Sequence, residues 1–117
     1  MLIILVALLV FAEAQLSAIE WAGINWTIKD TAGKLQSPGP NIWAKENVRV
    51  DNNGYLHLMI QKINQSWTAS EIWTPTTFNY GRFTWEITGP LASMSENLVF
   101  GVFLYSSNKT MGPDGTN

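Results

Sequence analysis

The chain predicts an all-β fold, an antiparallel β-sandwich, and three observations carry that expectation. From residue 15 onward, strand-like and turn-like segments alternate at short spacing, with no stretch of helical period. Asp51-Asn52-Asn53-Gly54 separates two apolar arms, and Asn-Gly is a strong hairpin signal because both residues tolerate positive φ. Residues 98–105 are apolar nearly throughout, the pattern of a strand covered on both faces.

Taken in order, residues 1–14 read as a signal peptide. The apolar run over residues 2–11 is about half the length that spans a bilayer, and Ala12-Glu13-Ala14 offers a small-x-small cleavage site. No Lys or Arg precedes that run, so the amino terminus supplies its positive charge. Cleavage after Ala14 yields a secreted chain over residues 15–117, and the sequons at Asn25, Asn64 and Asn108 are compatible with secretion. Residues 34–41 form a loop around Ser37-Pro38-Gly39-Pro40. Strands are expected over 48–50 and 55–63, the second burying Leu56, Leu58 and Ile60 and turning Tyr55, His57, Met59 and Gln61 to a mixed face. His57 is then a strand-surface residue. Residues 67–74 form the next strand, closed by Pro75, and 80–88 another, closed by Gly89-Pro90. In the latter, Phe83, Trp85 and Ile87 lie opposite Arg82, Thr84, Glu86 and Thr88. The last strand, 98–105, precedes a loop over 111–117. No repeat or linker divides this single domain.

Composition narrows the function. With 46% apolar and 14% charged residues the chain is globular. A net charge of −2 without basic runs gives no footprint for nucleic acid and no face for an anionic membrane. The absence of cysteine excludes disulfides and thiolate metal sites, and the single His57 supplies no histidine cluster; no cofactor and no metal ligand are assigned from the sequence, which leaves calcium open. Six Trp, five Phe and three Tyr admit two readings, core packing or stacking on the C–H faces of sugar rings.

A set of short motifs favours the sugar. Asn41-Ile42-Trp43-Ala44-Lys45-Glu46-Asn47-Val48, Asn53-Gly54-Tyr55-Leu56-His57-Leu58, Ala69-Ser70-Glu71, Tyr80-Gly81-Arg82-Phe83 and Val102-Phe103-Leu104-Tyr105 follow one another in an order and spacing that resembles glycoside hydrolase family 16, the lichenase and laminarinase kind. The resemblance covers most of the chain after residue 14. It implies a concanavalin A-like jelly roll, two curved antiparallel sheets with a glycan groove on the concave face, in a monomer acting on β-1,3 or mixed-linkage glucan. It also implies substrate-binding roles for Trp43, Glu71, Phe103 and Tyr105. Alternation agrees for the last two: if Phe100, Val102 and Leu104 face the core, Val99, Gly101, Phe103 and Tyr105 face the groove. The competing readings make Trp43 and Phe103 core residues and Glu71 an exposed strand residue or a structural partner of Arg82.

Two departures from the family pattern stand out. Where lichenase-like members carry an Arg two residues after the Glu, this chain has Trp73, and the Glu-x-Asp-x-Glu strand is absent from the 117 residues. Retaining hydrolysis needs two carboxylates about 5 to 5.5 Å apart, and none of the nine acidic residues here forms an alternating pair on one strand. No nucleophile elbow or phosphate loop replaces them. The expected function is therefore that of an incomplete, N-terminal portion of a secreted β-glucanase, inactive by itself, with a non-catalytic, lectin-like glycan-binding sandwich as the alternative.

Overall fold

The computed structural model describes residues 16–105, so the expected signal peptide over 1–14, the sequon at Asn108 and the expected loop over 111–117 lie outside the described residues. The chain is mostly β, with nine short strands and two 3-10 turns among the described residues: β1 (Ala18–Trp21), β2 (Ile24–Ile28), β3 (Leu35–Gln36), β4 (Asn41–Trp43), β5 (Val48–Val50), β6 (Leu56–Leu58), β7 (Gln61–Ile63), β8 (Ser66–Ala69) and β9 (Ile72–Trp73). They form three sheets, ordered β1-β2-β9, β3-β4-β8-β7 and β5-β6. Among these residues no helix is long and apolar enough to cross a membrane.

The expected hairpin is present, with Val48 opposite Leu58, Arg49 opposite His57 and Val50 opposite Leu56. Its turn differs from a two-residue Asn-Gly loop. Gly54 N–H donates to Asp51 O and Asp51 N–H to Tyr55 O, both at 3.0 Å, and Gly54 alone in the loop takes a positive φ, +81°. This is a three-residue loop with a glycine in the bulge position. Asp51 holds it together: Oδ1 accepts from Asn53 N–H at 2.9 Å and Tyr55 N–H at 3.0 Å. Oδ2 lies 2.7 Å from His57 Nε2. Arg49 Nη2 stands 3.4 Å from His57 Nδ1, and a guanidinium only donates, so Nδ1 accepts and Nε2 carries the proton given to Asp51. His57 therefore belongs to the turn's scaffolding.

These bonds hold the Asp51 carboxyl below its ordinary value of 3.8, the His57 bond contributing most, then the Tyr55 amide. A depressed carboxyl stabilises the fold fully above its unfolded value and ceases to do so as pH falls through the lower folded one. Asp51→Ala is thus expected to lower the melting temperature at pH 7, with the deficit shrinking below about pH 3.8 in a pH series of thermal melts. A deficit that stays constant down to pH 2 contradicts this role.

Two tight turns not marked by Asn-Gly add further hairpins. Ala22 and Gly23, at φ +53° and +72°, join β1 to β2, and Asn64 and Gln65, at +48° and +66°, join β7 to β8. Positive φ at both central residues is the primed geometry that matches strand twist. Trp21 Nε1 donates to Gly54 O at 3.1 Å, tying the first hairpin to the turn of the β5–β6 hairpin.

Several expected strands are shorter or redirected. The segment 55–63 breaks after Leu58, where Met59 N–H donates to Asn47 O at 2.9 Å, and its two halves enter different sheets. Leu58 and Ile60, expected on a buried face, are exposed as a result. The segment 67–74 also divides, at Ser70-Glu71. Ala69 O accepts from Ala44 N–H at 3.1 Å, whereas Glu71 O accepts from Lys29 N–H at 3.0 Å, so the chain passes from the sheet of β4 to that of β2. The pairing of β4 with β8 is parallel, which departs from a wholly antiparallel sheet; the other five pairings are antiparallel. The expected loop 34–41 contains β3 and the first residue of β4.

The core near these crossings is small and partly polar. Ile28, Trp43, Ala44 and Val48 are buried beside Thr31, Asn47 and Thr68. Asn47, on the turn Lys45–Asn47, is fully enclosed; its Nδ2 donates to Thr68 Oγ1 at 2.9 Å and Ala69 O at 3.0 Å, leaving Oδ1 buried and unpaired. Thr68 in turn donates to Gln61 O at 2.8 Å. Apart from the unpaired Oδ1, these side-chain bonds help fix where the strands meet.

The described residues fall into two units, 16–81 and 82–105. In the second, neither 80–88 nor 98–105 carries strand pairing, and its one regular element is the 3-10 turn Leu91–Ser93. Its backbone bonds include local ones, Leu91 N–H to Gly89 O at 2.9 Å and Leu98 N–H to Ser95 O at 2.9 Å. Residues 98–105 are exposed rather than covered, yet the alternation survives: Val99, Phe103 and Tyr105 are at least 76% exposed, Phe100, Val102 and Leu104 at most 53%.

Candidate functional site

The ends of β2 and β9 bring two charges together. Lys29 follows β2 and Glu71 precedes β9, and the Lys29 N–H···O Glu71 bond continues the ladder between them. Across that pair, Lys29 Nζ lies 3.0 Å from Glu71 Oε2. It also donates to Ser37 O at 2.7 Å and stands 4.3 Å from the centroid of the Trp43 ring. The Lys29 side chain is 15% exposed and that of Glu71 32%. An ammonium so withdrawn from water needs its partners, and here a carboxylate, a carbonyl and an indole face supply them.

Beside this pair opens a cleft of about 500 Å³, lined in part by Lys29, Glu71, Trp73, Asp30, Gln36 and Lys45. Strand alternation places Glu71 and Trp73 on one side with Ile72 between them, and the Trp73 residue is 42% exposed. Lys45 Nζ and Asp30 Oδ2 form a looser pair at 3.8 Å, and Asp30 Oδ1 accepts from Ala32 N–H at 2.9 Å. The wall thus combines a flat apolar ring with hydrogen-bond acceptors and donors. Each cleft carboxylate faces a lysine, an arrangement suited to accepting hydrogen bonds from a ligand. Among the described residues no group of three His, Cys, Asp or Glu side chains is placed to hold a metal ion.

Of the four residues expected to bind substrate, Glu71 lines the cleft. Trp43 does not: at 7% exposure it is a core residue, its Nε1 donating to Gln36 O at 3.0 Å and its ring face supporting Lys29. The described ion partner of Glu71 is Lys29, not the Arg82 considered from the sequence. Phe103 and Tyr105 belong to the second unit, where both are widely exposed, and a Cβ at Gly101 would meet nothing within 4 Å. Trp73 is the aromatic of the cleft that sequence reasoning passed over. Its signal was its position two residues after Glu71, which puts both side chains on one side of a strand.

No family model matches the chain, and neither a curated protein nor a solved structure matches it.

Proposed function

We propose that the chain binds β-glucan, and that its strands belong to one wall of a glycan groove in a secreted, jelly-roll sandwich of the glycoside hydrolase family 16 kind. The observation that carries this reading is the half-exposed indole of Trp73 in a cleft beside the Glu71 carboxylate. A pyranose presents an apolar C–H face and a rim of hydroxyls, and an indole flanked by acceptors and donors complements both. The ordered motifs around Trp43, Gly54, Glu71 and Tyr80 favour β-1,3 or mixed-linkage glucan.

In that family, hydrolysis proceeds with retention through a covalent glycosyl-enzyme. These 117 residues hold no Glu-x-Asp-x-Glu strand, and the two cleft carboxylates named above are each paired with lysine, which favours binding without hydrolysis. Electrophoresis in native gels cast with laminarin or lichenan tests the proposal. The chain is expected to be retarded by at least one glucan while releasing no reducing ends from it. Unchanged mobility in both gels refutes glucan binding, and released reducing ends refute the non-catalytic assignment.

A further inference from the structure

We infer that Lys29 is a positioning residue for ligand recognition: it commits one oxygen of Glu71 and thereby presents the other to hydroxyl donors of an uncharged sugar. The inference rests on the glycan reading of the cleft. Three contacts fix the ammonium, 2.7 Å to Ser37 O, 3.0 Å to Glu71 Oε2 and 4.3 Å to the Trp43 centroid. An ammonium has three N–H donors, and with a carbonyl, a carboxylate and a ring face around it this one has little left to offer a ligand. Glu71 Oε1, by contrast, accepts none of the hydrogen bonds found among the described residues.

The pairing also restricts where the carboxylate can point. The backbone bond from Lys29 N–H to Glu71 O, at 3.0 Å, aligns the two residues across the sheet, and the side-chain bond then removes rotamers that Glu71 would otherwise visit. A preoriented acceptor spares a ligand the cost of ordering it. Charge points to the same ligand class, because the positive charge of Lys29 is matched by Glu71 and that of Lys45 by Asp30, leaving no unpaired cation among these groups for a uronate or sulfate.

Isothermal titration of the full chain with laminarin and lichenan oligosaccharides tests this, using Lys29→Met, Glu71→Gln and the double variant. Lys29→Met is expected to weaken binding about tenfold, and the double variant to bind no more weakly than Glu71→Gln alone, because Lys29 acts through Glu71. Lys29→Gln replaces Lys29→Met should the latter fail to melt cooperatively. Wild-type affinity in the Lys29 variant, or losses that multiply in the double variant, overturns the positioning role while leaving the glycan reading intact. A wild-type chain that binds neither oligosaccharide overturns the glycan reading and this role with it.

Discussion

Trp43→Ala is expected to remove about 3 to 5 kcal/mol of unfolding free energy, the cost of deleting a buried tryptophan. The ring is 7% exposed, it donates to Gln36 O at 3.0 Å, and its face lies 4.3 Å from the Lys29 ammonium. Truncation leaves a cavity, an unpaired carbonyl and a withdrawn cation without its support. Since a small domain is stable by only about 5 to 15 kcal/mol, the variant should unfold at markedly lower urea than wild type. Trp67→Ala is the control: that residue is 66% exposed, and its loss should cost within about 0.5 kcal/mol. Similar midpoints for the two variants would contradict a core role for Trp43.

The contrast between these tryptophans shows what one sequence can and cannot reveal. The β5–β6 hairpin was legible because Asn53-Gly54 marks a reversal through local backbone chemistry alone. The breaks after Leu58 and at Ser70-Glu71 were not, because long-range bonds cause them: Asn47 O draws off Met59, and Lys29 draws off Glu71. Over 99–105 the side chains alternate in degree of exposure, a property of an extended chain whether or not it is paired, but neither the expected core nor the expected groove covers them among the described residues. Pairing depends on partners distant in sequence, and the segments 80–88 and 98–105, expected as strands, have no strand pairing among the described residues. For the site, the family resemblance points to Glu71 with Trp43, Phe103 and Tyr105 as the aromatics. Trp43 lies in the core with the Lys29 ammonium over its ring, whereas Trp73 lines the cleft, and the proposed glycan reading therefore rests on Trp73.

Trp73→Ala is the second large effect expected, and it falls on binding rather than on folding. A central aromatic commonly dominates recognition, so the affinity for laminarin or lichenan oligosaccharides should drop roughly tenfold to a hundredfold, about 1.4 to 2.7 kcal/mol. Trp73 is 42% exposed, so the melting temperature should change far less than in Trp43→Ala. Trp73→Phe retains an apolar face and should recover part of the loss. Equal affinity in wild type and Trp73→Ala removes the indole from the binding account.

The most direct measurement is a nuclear magnetic resonance titration of the full chain with a laminarin oligosaccharide, following the indole N–H signals assigned by single tryptophan substitutions. The Trp73 signal should move saturably with ligand, whereas the signal of Trp43, bonded to Gln36 O, should remain in place. No saturable shift at Trp73 with laminarin or lichenan oligosaccharides would contradict a glucan site in this cleft.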